Sequence, residues 1–146
     1  MQRKWLLGAV ILWGGASMAF AEEERMKPVT DPLAKAECSE CHMAFPAGFL
    51  PAGSWRKIIG DMDHHFGHNA HIEPDSQARI LDYYVKNAGS GNGLSSLNPP
   101  LRITQLPWYI GHHRYALSAE AKQRVGSLVN CQGCHPKAAN GIFEVD

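Results

Sequence analysis

The stretch Cys38-Ser39-Glu40-Cys41-His42 has the same pattern as Cys131-Gln132-Gly133-Cys134-His135 near the other end of the chain. Together the two motifs use all four cysteines of the 146-residue protein. Two thiols at this spacing add to the two vinyl groups of one haem, and the histidine that follows becomes the proximal iron ligand. The sequence therefore predicts two covalently bound c-type haems. The attachment points are Cys38, Cys41, Cys131 and Cys134, and the proximal ligands are His42 and His135.

Other uses of four cysteines explain the pattern less well. Paired Cys-x-x-Cys units bind structural zinc, a single unit serves as a redox dithiol, and exported chains form disulfides. None of these roles requires a histidine directly after both pairs. The haem interpretation accounts for that residue in each motif.

The first residues have the pattern of an export signal. A short basic start is followed by an apolar run from Trp5 to Met18, and Ala19-Phe20-Ala21 matches a small-x-small cleavage site. The alternative is an uncleaved anchor, but the run is shorter than the roughly 20 residues that span a bilayer. We therefore expect residues 1–21 to be a signal peptide and residues 22–146 to form a single dihaem domain in the periplasm.

Charge excludes one class of partner. Cleavage after Ala21 removes two of the 14 basic residues and none of the 14 acidic ones, which leaves a formal charge of −2 with histidines neutral. A protein without a basic surplus is not expected to bind nucleic acid.

The pattern along the chain predicts a mainly α fold, in which short helices and long loops wrap around the two haems. Capping residues and glycines mark the helix ends. The expected helices run from Pro32 toward Cys41 with Asp31 as cap, from Trp55 to Phe66 with Ser54 as cap, from Pro74 to Ala88, and from Ala119 to about Val129 with Ser118 as cap. Residues 89–100 are expected to form a glycine- and serine-rich loop.

Six further histidines lie between the motifs, and two of them would complete two six-coordinate irons. These are His64, His65, His68, His71, His112 and His113. On a helix from Trp55 to Phe66, His65 shares the apolar face with Ile58 and Met62, whereas His64 falls on the polar face. The periodicity therefore favours His65 as a distal ligand.

Periodicity does not separate His112 from His113, so both remain candidates at this point. Methionine is the other common sixth ligand, and Met62 is the one methionine well placed for it. With histidines so abundant, we expect bis-histidine coordination at both irons.

Such irons have no open position, which favours an electron carrier over an enzyme. The alternative is a small haem enzyme, a peroxidase or a nitrogen-oxide reductase, with one open iron.

Several segments carry a family resemblance. They are residues 37–46, residues 51–58, His65-Phe66-Gly67, Asn69-Ala70, Arg102-Ile103-Thr104, Pro107-Trp108, His113-Arg114 and residues 131–135. In these the chain resembles the bacterial dihaem cytochromes c that donate electrons to a small oxygen-binding monohaem cytochrome c, the sphaeroides haem protein. The resemblance implies His65 and His113 as distal ligands. It also implies a periplasmic monohaem cytochrome c as electron acceptor. For an electron carrier of this kind we expect a membrane b-type cytochrome as the donor.

The haem prediction can be checked by mass. Protein matured in a host that attaches c-type haems should have the mass of residues 22–146 plus two haems, because each motif binds one porphyrin covalently. Intact-protein mass spectrometry measures this directly. One haem, bound zinc or two disulfides would contradict it.

Overall fold

The computed structural model describes residues 25–90, 97–115 and 117–144. These residues contain five α-helices joined by loops and short 3-10 turns: α1 Pro32–Cys38, α2 Ala52–Ile59, α3 Pro74–Lys86, α4 Pro107–His113 and α5 Ala119–Val125. The same residues form isolated β-bridges but no strand. The predicted mainly α class is confirmed. The expected signal peptide lies outside the described residues, as does most of the expected loop at 89–100.

Two of the predicted helix starts are confirmed by their caps. The Asp31 carboxylate accepts a hydrogen bond from Ala34 N at 2.8 Å, and the Ser118 hydroxyl accepts one from Ala121 N at 3.2 Å. Each cap satisfies a backbone N–H that has no partner within its own helix. Both helices end earlier than expected. Helix α1 ends at Cys38, and α5 ends at Val125 because Gly126 adopts φ +71°.

The expected helix from Trp55 to Phe66 is wrong at both ends. Helix α2 begins at Ala52 after Pro51, so Ser54 lies inside it, fully buried, and caps nothing. It ends at Ile59, because Gly60 and Asp61 are poor helix formers and Asp61 leaves the helical region with φ −137°. A 3-10 turn, Met62–His64, follows. His65 is therefore not on this helix, and the periodicity that selected it does not apply.

Helix α4 was not predicted from the sequence. Pro107 occupies its first turn, a favourable position for proline, and the fully buried Leu106 precedes it. Gly111 weakens the helical pattern in the middle of a seven-residue segment, because glycine is a poor helix former. Burial of Leu106 and Tyr109 in the core stabilises the helix despite this weak local preference.

The core forms where α2 packs against α3, and α1 also packs against α3. The Trp55 ring lies 4.4 Å from the Tyr84 ring between centroids, and Ile80 is completely buried beside them. The indole N–H of Trp55 donates to the Ala47 carbonyl at 2.8 Å. This bond anchors the segment that follows the first cysteine motif on the helical core.

The two ends of the described chain meet. The Met26 N–H donates to the Gly141 carbonyl at 2.7 Å. Gly141 has φ +80°, and a Cβ at this position would collide with the Met26 carbonyl oxygen. Glycine is required here for both reasons. The contact joins the segment before the first motif to the segment after the second.

Helix α3 is the longest of the described helices, with 13 residues. Within the described ranges, no helix is both long enough and apolar enough to cross a membrane.

The core assignment predicts a large effect at Ile80. Ile80→Ala should lower the free energy of unfolding by about 2–5 kcal/mol, because it removes buried methyl groups and leaves a cavity between the helices. Arg79→Ala, at the exposed neighbouring position of α3, should change it by less than about 0.5 kcal/mol. Chemical denaturation of the two variants measures the difference. Equal effects would mean that α3 does not face the core as described.

Candidate functional site

The first site pairs a motif histidine with a histidine from the loop after α2. The ring centroids of His42 and His65 lie 6.2 Å apart, and the ring planes are inclined by 28°. His42 follows the end of α1, and His65 follows the 3-10 turn Met62–His64. The tertiary structure thus brings together two imidazoles from separate loops.

The second site pairs the other motif histidine with the last residue of α4. The centroids of His113 and His135 lie 6.0 Å apart, and their planes are nearly perpendicular at 89°. Helix α4 therefore positions His113, and not its neighbour His112, opposite the second motif. Sequence periodicity could not make this choice.

Both separations fit an iron between the rings. A nitrogen of imidazole bonds a first-row metal at about 2 Å and the ring centroid lies about 1.1 Å further out, so coaxial rings on one iron have centroids about 6.2 Å apart. The observed 6.2 Å and 6.0 Å agree with this value. The four histidines would therefore be able to hold two irons in pairs, His42 with His65 and His113 with His135.

Three of these four rings are oriented by a backbone carbonyl. The Nδ1–H groups of His42, His113 and His135 donate to the carbonyls of Met43, Tyr109 and Glu144, at 2.8, 2.8 and 3.3 Å. A carbonyl only accepts, so the proton is on Nδ1 and Nε2 is left as the iron-binding nitrogen. Such bonds fix the ring and raise the basicity of the ligand. His65 differs, because its Nδ1 is buried and has no partner among the described residues.

Aromatic rings support the ligands further. Phe45 stacks on His42 with centroids 4.7 Å apart, and Tyr109 stacks on His113 at 4.0 Å with an angle of 20°. Sequence reasoning missed both supporting residues. The four-residue spacing of Tyr109 and His113 would have indicated the contact only if α4 had been recognised as a helix.

A chain of aromatic contacts extends from the second site toward the first motif. The Phe143 ring lies 5.7 Å from that of His135 and 5.3 Å from that of Phe49. Phe49 also lies 5.2 Å from Trp108 and belongs to the 3-10 turn Ala47–Phe49 that follows His42 and Phe45. The loop that leaves the first motif thus packs against the second site.

Two of the remaining histidines are bound to carboxylates on the surface. His64 lies 2.7 Å from Asp61, and His71 lies 2.9 Å from Asp63. Hydrogen bonds to these carboxylates raise the pKa of both histidines and favour their protonated, non-ligating forms. Burial, reinforced by His42 and His68, lowers the pKa of His65. A lowered pKa keeps its imidazole neutral, which is the form that binds metal.

The four cysteines are available for covalent attachment. All four are free, so the disulfide alternative is not supported. No group of three or more metal-binding side chains forms in the described ranges, so the zinc alternative has no site there. Cys38 and Cys131 are half-buried, and burial raises the pKa of both thiols, whereas Cys41 and Cys134 are exposed. Within each motif the protein therefore buries the first cysteine more than the second.

Comparison with known proteins agrees with this geometry. Residues 34–143 match the dihaem cytochrome c family. A dihaem cytochrome c from Rhodobacter sphaeroides is similar, with 40% identity and a TM-score of 0.76 over 80% of this chain and 99% of that chain. A dihaem cytochrome c from Shewanella baltica OS155 has 35% identity and a TM-score of 0.67 over 77% of this chain and 86% of that chain. The search of curated proteins finds no match.

The family and the four cysteines in two Cys-x-x-Cys-His motifs establish two c-type haems as the cofactors. The residues present fit them. When bound, each haem supplies an iron that cycles between ferric and ferrous states. The chain supplies the covalent attachment, the facing imidazoles and the hydrogen bonds that orient them.

Neighbouring histidines provide matched tests of the distal ligands. His65→Ala should make one haem high-spin, because it removes the imidazole opposite His42, whereas His64→Ala should leave both haems low-spin. His113→Ala and His112→Ala should differ in the same way at the second site. Absorption spectra of the oxidised holoproteins measure the spin state. A high-spin haem in His64→Ala together with low-spin haems in His65→Ala would make His64 the ligand. The same pattern in His112→Ala and His113→Ala would make His112 the ligand.

Proposed function

Because the chain belongs to the dihaem cytochrome c family, we propose that it is a periplasmic electron-transfer protein that donates electrons to a small monohaem cytochrome c. The family indicates an electron-transfer cytochrome. The observation that carries the proposal is the pairing of facing imidazoles at two sites, 6.2 Å and 6.0 Å apart. An iron with an imidazole on each face gains and loses electrons without binding a substrate.

In this proposal the first haem is attached to Cys38 and Cys41 and held by His42 and His65. The second is attached to Cys131 and Cys134 and held by His113 and His135. A second imidazole stabilises ferric iron more than a thioether does, so both potentials should lie below those of His/Met cytochromes c. Low potentials suit a donor.

The size of the chain leaves electrons a route to the surface. The 125 residues expected after cleavage are too few to cover two porphyrins, so at least one haem edge should lie near solvent. Redox partners need only a close approach of two haem edges, and their interfaces are small and short-lived. We therefore expect weak binding with fast transfer.

The charge around the second motif favours an acidic partner surface. The described residues from 107 onward contain four exposed basic side chains, Arg114, Lys122, Arg124 and Lys137, and two acidic ones, Glu120 and Glu144. Arg102 is not among them, because it packs over the Phe66 ring beside the first site. A basic surface steers an acidic partner and raises the association rate, and salt screens this effect. The acceptor should therefore dock near the second haem.

Periplasmic location rests on the signal-like residues 1–21 and on the covalent haem motifs, since c-type haems are attached outside the inner membrane. A membrane b-type cytochrome is the donor we propose, because it would deliver electrons at the face of the membrane where this chain is expected.

Stopped-flow mixing tests the carrier function. The reduced holoprotein should pass electrons rapidly to a small periplasmic monohaem cytochrome c, and the rate should fall as ionic strength rises. Lys137→Gln should slow the reaction several-fold at low salt, because the charge lies two residues from His135. Arg79→Gln, on α3, removes an equal charge outside this basic region and should have little effect.

The same reduced holoprotein distinguishes an electron carrier from a haem enzyme. Slow transfer at every ionic strength, together with turnover of peroxide or nitrite by the protein alone, would contradict the carrier proposal. Equal slowing by both charge variants would leave the carrier function intact but would move the docking surface away from the second haem.

A further inference from the structure

The two distal histidines are held with very different firmness. His113 ends α4, its Nδ1–H donates to the Tyr109 carbonyl at 2.8 Å, and the buried Tyr109 ring stacks on it at 4.0 Å. These contacts come from one helix, so ring and backbone are fixed together. Moving His113 away from its iron would break all of them.

His65 lacks the corresponding hydrogen bond. Its Nδ1 is buried and meets no acceptor in the described part of the chain, whereas the rings of His42, His113 and His135 each have a carbonyl partner. A metal-bound histidine without such an acceptor is less basic and less firmly oriented. A buried N–H without a partner also gains a hydrogen bond when it moves into water. Both effects weaken His65 as a ligand.

The backbone at His65 is strained as well. The His68 N–H donates to the His65 carbonyl at 3.1 Å, which closes a tight turn with Phe66 at φ +54° and Gly67 at φ +97°. Positive φ at both central positions suits asparagine and glycine, and it is unfavourable for a bulky residue such as phenylalanine. Phe66 is the one described non-glycine residue with positive φ. Release of His65 allows this turn to relax.

We propose that His65 is an exchangeable ligand, and that the first haem binds small neutral π-acceptor molecules such as carbon monoxide or nitric oxide in its place. The second haem keeps His113. The turn at residues 65–68 is the element that moves, since the base of the loop is closed separately by the Ala70 N–H on the Met62 carbonyl at 2.9 Å. This inference rests on the ligand pairs proposed above, but it does not depend on the identity of the redox partner.

Carbon monoxide counts the available irons in the reduced holoprotein. The wild-type protein should bind one molecule per chain, slowly, because His65 must leave first. His65→Ala should also bind one, but rapidly, since the same iron is already open. His113→Ala should bind two, one rapidly at the second haem and one slowly at the first.

The number of carbon monoxide molecules bound per chain distinguishes a failure of the exchange from a failure of the ligand pairs. No uptake by wild type, with one molecule bound by each variant, would overturn the exchange while confirming the ligand pairs. Two molecules in His65→Ala and one in His113→Ala would make His113 the labile ligand. Binding unchanged by either substitution would refute the pairs themselves.

A measurement on the wild-type protein tests the proposal even if the variants fail to fold. The near-parallel rings at the first site and the perpendicular rings at the second, 28° and 89°, split the iron d orbitals differently and give distinct paramagnetic resonance signals in the oxidised protein. Nitric oxide should remove the rhombic signal of the near-parallel pair, because its adduct with ferric haem is diamagnetic, and it should spare the strongly anisotropic signal of the perpendicular pair. Loss of the anisotropic signal first, or no loss at all, would overturn the proposal.

Discussion

Facing imidazoles about 6 Å apart are the constraint on which this structure depends. Each motif holds its own proximal histidine in place, but the opposite face of each iron must be filled by a residue from elsewhere. In the structure the loop after α2 places His65 opposite His42, and the end of α4 places His113 opposite His135. The helical core of α1, α2 and α3 anchors the first motif, while the Met26–Gly141 contact joins the segments outside the two motifs.

The two sites use the same ligand chemistry with different support. At the second site a helix provides the ligand, the hydrogen-bond acceptor and the stacked ring within five residues, so the distal imidazole is preorganised. At the first site the distal imidazole lies on a strained turn, and its second nitrogen has no partner in the described structure. Two chemically equivalent pairs of histidines can thus differ in how firmly one ring of each pair is held. This difference comes from the residues that surround the histidines and not from the histidines themselves.

The periodicity argument for His65 does not hold, although the position of His65 in the structure agrees with the expectation. The periodicity that favoured it assumed a helix from Trp55 to Phe66, but α2 ends at Ile59. His65 nevertheless lies opposite His42, because the Met62–His64 turn and the tight turn after it redirect the chain. The resemblance to dihaem cytochromes c identified both His65 and His113, whose ligation remains a prediction supported by this geometry. Helix α4 was missed because Gly111 weakens its local pattern, while its stability comes from burial of Leu106 and Tyr109.

The sequence by itself determined the family, the mainly α class and the two covalent haems with His42 and His135 beside them. These follow from short-range chemistry, since two thiols and an imidazole within five residues are held together by the chain itself. Caps such as Asp31 and Ser118 are local in the same sense. Only the tertiary structure decided which distant histidine faces which motif, that His113 and not His112 points across the second site, and that His65 lacks an acceptor. Those outcomes depend on where segments that are distant in the sequence meet, and local sequence patterns do not predict such contacts.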